Sequence, residues 1–304
     1  CYNTYDASHP MLRGYYYRLF AGITYCNHYL DVAADNDATM TAEVRFLRAF
    51  HYYLAMDAFG NIPFVTTVTS EKAVQYSRAQ VFEFIENELL EIESNLSDAK
   101  AKKSTDASYG RVDKAAAWLL LARLYLNAEV YTGTARWSDA ATYAKKVMDS
   151  PYDLSRTSVG GYSPYQMLFM ADNGETSAAN EAIFPILQDG LLTTSWGTSL
   201  FLIASTTNDD IPTGTSEGWG GNRARRDLVE KFFPNGDAPC VDKDEMVKQA
   251  GDDRAIFWGI DRTLDIETYT TFKEGYSVAK FIGYKTDGSR SEERRVGKEC
   301  RSRW

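Results

Sequence analysis

Two tryptophans in glycine-rich stretches are the side chains in this sequence best suited to contact a ligand. Trp196 lies in Thr194–Gly197 and Trp219 in Gly214–Gly220, so small polar residues flank each indole. Such an indole is poorly placed for a regular core, and its flat ring can stack on the apolar face of a pyranose. The pattern predicts a sugar-stacking surface, and it is equally compatible with tryptophans that only cover their own loops.

Paired carboxylates offer a second kind of chemistry. Asp209–Asp210 and Asp252–Asp253 are the best pairs in the sequence, and hydrolysis of a glycosidic bond requires two carboxyl groups. Adjacent residues on a strand point to opposite sides, however, and acidic pairs are common in loops. The sequence therefore predicts no catalytic residues and a protein that is not an enzyme.

Histidines and cysteines show no pattern of a reactive or metal site. His9, His28 and His51 lie in or beside aromatic helical patterns, without a Cys or Ser partner in a recognisable motif. We interpret them as core or surface histidines. The four cysteines have no metal-ligand spacing, and we predict that Cys26 and Cys240 are ordinary buried thiols. Neither a metal nor a cofactor is predicted.

Composition limits the classes of function. The chain has 304 residues, of which 44% are hydrophobic and 13% aromatic, enough for a sizeable core. No apolar run is long enough to cross a bilayer. A net charge of −9 leaves no basic surface for a nucleic acid, so nucleic acid is excluded as a partner.

One segment, residues 41–65, predicts a long helix that leads into a buried turn. Apolar residues recur at helical spacing up to Phe59, and Gly60 begins a run that stops a helix. Glu43, Arg45 and Arg48 interrupt the apolar stripe within the first two turns. We expect these charges to be paired or to lie at the rim of the core.

Further helices follow from the same kind of spacing. Ser77 and Gln80 form a capping box, and the helix after them should expose a solvated acidic face. That face consists of Glu83, Glu86, Glu88, Glu91 and Glu93. The other predicted helices begin near Met11 and cover Ala115–Val130, Trp137–Met148 and Asp227–Phe233.

The amino-acid composition changes after Tyr152, where Gly, Ser, Thr, Asn and Asp become frequent. Before that point, Ala115–Val130 and Trp137–Met148 have the character of a tetratricopeptide-like helix pair. We predict a helical scaffold at 1–150 and a loop-rich glycan-binding lobe at 151–289. Long loops on a rigid base are where binding residues usually lie.

The segment Ala42–Ala49 reads Ala-Glu-Val-Arg-Phe-Leu-Arg-Ala, and Phe59–Pro63 reads Phe-Gly-Asn-Ile-Pro. Together they resemble the signature of the SusD/RagB family, glycan-binding lipoproteins of Bacteroidetes outer membranes. The resemblance implies a mainly α, SusD-like fold in which tetratricopeptide-like helix pairs carry a loop-rich irregular lobe. It also implies a surface-exposed lipoprotein of the cell outer membrane that delivers glycan to a TonB-dependent outer-membrane transporter, with the long helices as the docking face.

The similarity extends further to the founding starch-binding member of the family, in which aromatic rings cradle a curved α-glucan. Trp196 falls where that protein has a ring-forming Tyr, and Trp219 where it has a Trp. The resemblance therefore implies an α-glucan ligand, starch or malto-oligosaccharide, that stacks on both indoles. Polar candidates close by in the sequence are Asn208, Asn222 and Arg223. The segments that carry this similarity are Gly110–Gly133, Leu168–Asn173, Gln188–Gly190 and Gly218–Phe233.

Asn180–Phe184 resembles a family segment that enters a short strand. Family members are also longer at both ends, so the resemblance implies that both predicted domains are truncated. Cys1 is then expected to mark the start of a fragment, and the lipid anchor would be missing from this sequence. Residues 290–304 resemble translated sequencing adapter and are a predicted non-native tail.

Two other hypotheses fit the same scaffold. One is a helical-repeat scaffold that binds protein, with tryptophans that only stabilise their loops. The other is a SusD-like protein that binds a different glycan, because the family keeps its scaffold while its ligands vary.

Overall fold

A computed structural model of the chain describes residues 5–187, 199–215 and 218–290, with only the backbone described at 199 and 200. Trp196 lies outside these residues. The described residues fall into two units. We call residues 5–101 and 110–153 the helical unit, and residues 102–109 and 154–290, within the described ranges, the loop-rich unit.

Six helices and one small hairpin make up the described part of the helical unit. Helix α1 packs along α2, α2 along α3, and α4 along α6. Strands β1 and β2 pair antiparallel, with Pro63 opposite Gln75. The elements are α1 (Pro10–Ala33), α2 (Ala38–Phe59), β1 (Ile62–Phe64), β2 (Val74–Tyr76), α3 (Arg78–Ile92), α4 (Lys114–Leu126), α5 (Ala128–Thr132) and α6 (Trp137–Met148).

Helix α2 confirms the long helix predicted from residues 41–65. Asp37 caps its first turn, because its carboxylate accepts a hydrogen bond from the Met40 N–H at 3.0 Å. Gly60 ends it with a φ of +79°, a conformation that favours glycine. The chain then turns into β1. Val65, which follows this strand, is bonded to Tyr52: the Tyr52 hydroxyl donates to the Val65 carbonyl at 2.6 Å and accepts from the Val65 N–H at 3.0 Å.

The charged residues on α2 are paired, as predicted. The Glu43 carboxylate accepts two hydrogen bonds from the Arg111 Nε, at 3.1 and 3.0 Å, and one from its Nη2 at 2.7 Å. Arg45 donates from Nε and Nη2 to the two carboxylate oxygens of Glu88, at 3.2 and 2.6 Å. Arg48 Nη2 donates to the same carboxylate at 2.9 Å. Glu88 therefore receives two arginines from the neighbouring helix.

The prediction of a fully solvated acidic face on α3 is wrong. Glu88 is only 8% exposed, and two further glutamates of this face are half-buried against neighbouring helices. Glu86 accepts from the Tyr125 hydroxyl at 2.7 Å and Glu93 from the Trp118 indole N–H at 2.8 Å. The spacing of the glutamates shows which side of α3 is polar. It does not show which cations and hydrogen-bond donors of other helices pack against that side.

A second correction concerns the helix predicted at Ala115–Val130. The helix ends at Leu126, and a separate short helix begins at Ala128, because Asn127 has φ −100° and ψ 9° and interrupts the helical backbone. The other predicted boundaries agree closely with the structure. The capping box of Ser77 and Gln80 is present, and α6 covers Trp137–Met148 as predicted.

The loop-rich unit contains short helices and a three-stranded antiparallel sheet. The strands lie in the order β3-β5-β4, with Arg223 and Trp258 both opposite Ser277. Buried side chains that include Val229, Met246 and Phe257 form one core cluster of this unit. The elements are α7 (Pro164–Met167), α8 (Ser199–Thr206), β3 (Arg223–Ala224), α9 (Arg226–Val229), α10 (Lys243–Ala250), β4 (Phe257–Trp258) and β5 (Tyr276–Val278).

Three predictions for this unit need correction. Residues 230–232 of the predicted Asp227–Phe233 helix form a 3-10 turn after α9. A 3-10 helix at Ser177–Glu181 leads into residues 182–187, which form no strand. Cys240 is exposed, and its thiol donates to the Gly259 carbonyl at 2.8 Å, whereas Cys26 is buried as predicted.

Within residues 5–187, 199–215 and 218–290, no helix combines the length and apolar character needed to span a membrane.

The buried charge of Arg48 leads to a stability prediction. Its side chain is 8% exposed, and Arg48→Met would remove the hydrogen bonds to Asn27, Glu88 and the Thr66 carbonyl. We expect the free energy of unfolding to fall by about 3 kcal/mol, because the partners would stay buried without it. Urea denaturation followed by circular dichroism measures the change.

Lys145→Met is the matched control, since Lys145 pairs with Asp149 at the surface, where the two side chains are 71% and 61% exposed. That variant should lose less than about 0.5 kcal/mol. Equal losses in the two variants would contradict the role given to Arg48.

Glu88 leads to a prediction of pH dependence. Burial raises the pKa of Glu88, but hydrogen bonds from Arg45 and Arg48 outweigh burial and hold the pKa below its ordinary value of 4.5. A carboxyl group with a lowered folded-state pKa stabilises the fold above its unfolded pKa, and this stabilisation is lost as pH falls through the folded pKa. Glu88→Gln should therefore lose less stability than the parent chain below about pH 5.

Urea denaturation at a series of pH values tests this expectation. Glu83→Gln, an exposed position on the same helix, controls for the removal of one acidic side chain. Parallel pH profiles for Glu88→Gln and the parent would show that Glu88 has no such role.

Candidate functional site

The backbone around Trp219 is fixed by the end of helix α8. The Trp219 N–H donates to the Ala204 carbonyl at 2.5 Å, and the Asn222 N–H donates to the Ser205 carbonyl at 2.7 Å. The last carbonyl groups of a helix lack partners inside the helix, so a neighbouring backbone segment can supply them. Residues 219–222 do so here, and we call this segment the 219–222 cap.

The Trp219 ring is half-buried at the surface of the loop-rich unit. Its edge meets Phe201 with the ring centroids 5.6 Å apart and the planes at 69°. The backbone of Trp219 forms an isolated antiparallel bridge with that of Asn208. The indole therefore sits on a fixed backbone and is not fully buried.

Two glycines allow the chain to pass close to Asn208. Gly220 has a φ of +60°, and a Cβ atom there would lie 2.3 Å from the Asn208 side-chain nitrogen. A Cβ atom on Gly218 would lie 2.5 Å from the Thr207 carbonyl oxygen. The glycines beside Trp219 are thus required by close packing, which is one physical reason for the glycine-rich composition of the loop.

Arg262 anchors the loop that lies beside the 219–222 cap. Its side chain is 0% exposed. The guanidinium donates to the Asn208 side-chain oxygen and to an Asp210 carboxylate oxygen, each at 3.0 Å. It also donates to the Ser277 hydroxyl at 3.0 Å and the Ile260 carbonyl at 2.7 Å. One buried cation thus ties residues 208–210 to strand β5.

The first acidic pair is occupied by contacts within the unit. The Asp209 carboxylate accepts the Gly218 N–H at 2.5 Å. Asp210 pairs with Arg262 at 3.0 Å and with Lys273 at 3.2 Å. Burial raises the pKa of Asp210, but hydrogen bonds from these two cations prevail and lower it. A carboxyl group held ionised in this way is a poor general acid.

The second acidic pair is likewise held by a neighbour. The Asp252 carboxylate accepts from Arg254 Nη2 at 2.7 Å. Hydrogen bonds from the Arg254 side chain and backbone lower the pKa of Asp252 to about 2. Asp209, Asp210 and Asp252 thus all make contacts within their own unit.

The predicted polar residues Asn222 and Arg223 differ in their exposure and in their contacts. The Asn222 residue is exposed, and its backbone belongs to the 219–222 cap. Arg223 is half-buried, and its guanidinium donates to three backbone carbonyls, those of Tyr269, Thr271 and Glu274. Trp196 lies outside the described residues. Of the other candidates, Asn208 bridges to Trp219 through its backbone, and Asn222 and Arg223 follow Trp219 in the chain.

Sequence reasoning did not identify two features near this site. Arg262 carried no signal, because its partners lie far away in sequence. Tyr269 and Phe272, by contrast, are aromatic residues in the threonine-rich run Thr268–Phe272. This is the same kind of signal that singled out the tryptophans, and it was available from the sequence.

In the described part of the chain, no group of three or more His, Cys, Asp or Glu side chains is arranged to hold a metal ion.

Comparison with known proteins relates this chain to carbohydrate-binding proteins. A SusD-like family model described as starch-binding and associating with the outer membrane matches residues 1–126. The chain is 36% identical over 310 residues to starch-binding protein SusD of Bacteroides thetaiotaomicron. That alignment covers 90% of the chain and 54% of the relative, so the chain spans about half of that protein's length.

Solved structures show the same fold. Surface glycan-binding protein A from Bacteroides uniformis has a TM-score of 0.58 and 23% identity, over 91% of this chain and 57% of that protein. A SusD-like protein from Bacteroides fragilis has a TM-score of 0.58 and 20% identity, over 75% of this chain and 43% of that protein.

The anchoring role of Arg262 can be tested by substitution. Arg262→Met would leave Asn208, Asp210 and Ser277 without their buried donor, so we expect the unfolding free energy of the loop-rich unit to fall by about 3 kcal/mol. Hydrogen exchange measured by mass spectrometry should show faster exchange at residues 207–211 and 218–224.

Arg254→Met provides the control, because Arg254 pairs with Asp252 through a side chain that is 65% exposed. Exchange at these segments should stay at the parent level in that variant. Unchanged exchange in Arg262→Met would contradict the anchoring role.

Proposed function

We propose that this chain, which resembles the SusD-like proteins, binds starch or malto-oligosaccharides. The observation that carries the proposal is the half-buried Trp219 ring on a backbone held by the end of α8. A ring already fixed in place loses little conformational freedom when a sugar stacks on it.

The proposed site consists of Trp219 and Trp196 as stacking rings, with Asn222 and Arg223 beside them. The exposed Asn222 amide can both donate to and accept from sugar hydroxyls. We further propose that residues 1–150 act as the scaffold and residues 151–289 as the glycan-binding lobe. Shape and stacking, rather than a deep pocket, would then determine the preference for a curved α-glucan.

Glycan binding without catalysis is the second part of the proposal. Three of the four aspartates considered for hydrolysis, Asp209, Asp210 and Asp252, contact cations or N–H groups of their own unit. A glycosidase needs one carboxyl group that can donate a proton, and the lowered pKa values of Asp210 and Asp252 oppose that role.

The cellular role follows from the family. We propose that the protein acts at the cell surface, attached to the outer membrane as a lipoprotein. There it would deliver glycan to a TonB-dependent outer-membrane transporter. The family description, which associates starch binding with the outer membrane, supports this location.

Affinity electrophoresis is the direct test of the ligand. We expect gels that contain amylopectin or pullulan to retard the chain, and a β-glucan gel to leave its mobility unchanged. Trp219→Ala should weaken retardation by about tenfold or more, because the stacking surface is removed. Trp219→Phe should retain part of it, and Trp196→Ala should also weaken it.

Trp137→Ala is a matched control, since Trp137 is 61% exposed in the helical unit. That variant should migrate as the parent does, and every variant should melt near the parent temperature. No retardation of the parent by α-glucans would refute starch binding. Retardation by the β-glucan alone would favour a different glycan, and a Trp219→Ala variant that binds normally but melts early would favour the protein-binding scaffold.

A further inference from the structure

A loop of the loop-rich unit carries two exposed aromatic rings on a firmly bonded backbone. We call residues 265–274 the aromatic loop. Within it, the Glu274 carboxylate accepts the backbone N–H groups of Glu267 at 2.8 Å and Thr268 at 2.5 Å. The Thr271 N–H donates to the Thr268 carbonyl at 2.9 Å, which closes a turn. These bonds fix the backbone between the two rings.

The ends of the aromatic loop are also tied down. Arg226 donates to both carboxylate oxygens of Asp265, at 2.7 and 2.6 Å. The Thr263 N–H donates to the Lys273 carbonyl at 3.2 Å, and the Gly275 N–H donates to the Thr263 carbonyl at 2.8 Å. A loop bonded at its middle and at both ends presents its side chains in a defined arrangement.

Arg223 completes this arrangement from outside the loop. Its Nη2 donates to the Tyr269 carbonyl at 2.7 Å, and its Nη1 donates to the Glu274 carbonyl at 2.6 Å and to the Thr271 carbonyl. The guanidinium carbon lies 5.6 Å from the centroid of the Phe272 ring. The planar cation therefore contacts both the backbone and one of the two rings.

The two rings face solvent. Tyr269 is 57% exposed and Phe272 is 51% exposed. Exposed threonines accompany them, namely Thr268, Thr270 and Thr271. Rings supply apolar area for the faces of sugars, and threonine hydroxyls can donate to or accept from sugar hydroxyls.

Contacts connect the aromatic loop with the proposed glycan site. Lys273, next to Phe272, pairs with Asp210 at 3.2 Å, and Asp210 shares the buried Arg262 with Asn208. The backbone of Asn208 in turn bridges to Trp219. Arg223 itself directly follows the 219–222 cap. A continuous series of ion pairs and hydrogen bonds thus connects the aromatic loop with Trp219.

We propose that the aromatic loop is a second stacking site for the same α-glucan chain. It would contact sugar units beyond those that stack on Trp219, and Arg223 would act as its positioning residue. This inference rests on the proposed glycan binding. It changes the role suggested for Arg223, because the guanidinium would serve the glycan through the loop that it holds.

Titration calorimetry with a short and a long ligand tests the second site. Tyr269→Ala with Phe272→Ala should weaken maltoheptaose binding by about five- to tenfold, because two rings are lost. Maltotriose can be held at Trp219 alone, so its affinity should change by less than about twofold. Trp219→Ala should weaken both ligands.

Tyr25→Ala is the matched control, since Tyr25 is 75% exposed in the helical unit. It should bind both sugars as the parent does. If the parent binds both sugars and the Tyr269→Ala, Phe272→Ala variant binds maltoheptaose equally well, the second site is refuted while starch binding stands. If the parent binds neither sugar, the proposed function fails, and this inference fails with it.

A mutant cycle separates positioning by Arg223 from direct contact with sugar. Arg223→Met should weaken maltoheptaose binding more than maltotriose binding. When Arg223→Met is combined with Tyr269→Ala and Phe272→Ala, affinity for maltoheptaose should not fall further. Arg223 would act by positioning these two rings, and the triple variant lacks them. Arg223→Lys, which keeps a cationic donor, should restore part of the affinity.

An additional loss in the triple variant, or an equal loss of affinity for both sugars in Arg223→Met, would overturn the positioning role. If Arg223→Met melts at a lower temperature than the parent, the ring variants still decide whether the second site exists, because they remove exposed side chains only.

Discussion

The helical unit depends on the buried guanidinium of Arg48. It joins α2 to Asn27 on α1, to Glu88 on α3 and to the carbonyl of Thr66 beyond β1. A buried cation is tolerated only while such partners stay in place, because an unpaired charge in the interior is strongly unfavourable. Neighbouring helices therefore cannot slide along α2 without breaking this set of bonds. The charged positions of the signature segment thus serve the packing of the scaffold, and the proposed ligand contacts lie elsewhere in the chain.

Local rules predicted most of the helical unit. Helix α2 follows from apolar periodicity with Asp37 before it and Gly60 after it, and α3 follows from the capping box of Ser77 and Gln80. These signals lie within a few residues of the structure that they specify. The burial of Glu88 could not be predicted in this way, since it depends on two arginines from α2 that are 40 and 43 residues away.

The candidate site shows the same limit more strongly. Glycine and serine around Trp219 indicated a loop, but not that its backbone caps α8. The partners of Arg223 lie 46 to 51 residues further along the chain, and Asn208 lies 54 residues from Arg262. Such hydrogen bonds between distant residues form only when the chain folds. A single sequence can therefore identify the aromatic side chains of the site, but not the residues that hold them in position. The run Thr268–Phe272 is an exception, because its composition resembles that of the tryptophan loops.

The 219–222 cap attaches residue 219 to α8 through main-chain atoms, namely the N–H group of Trp219 and the carbonyl of Ala204. Any amino acid other than proline can make that bond. The identity of the side chain at this position is therefore largely uncoupled from the folding of the loop. A lineage that carries this framework could exchange the indole for another side chain in one mutational step without first having to repair its fold, and the proposed sugar contact would change with it.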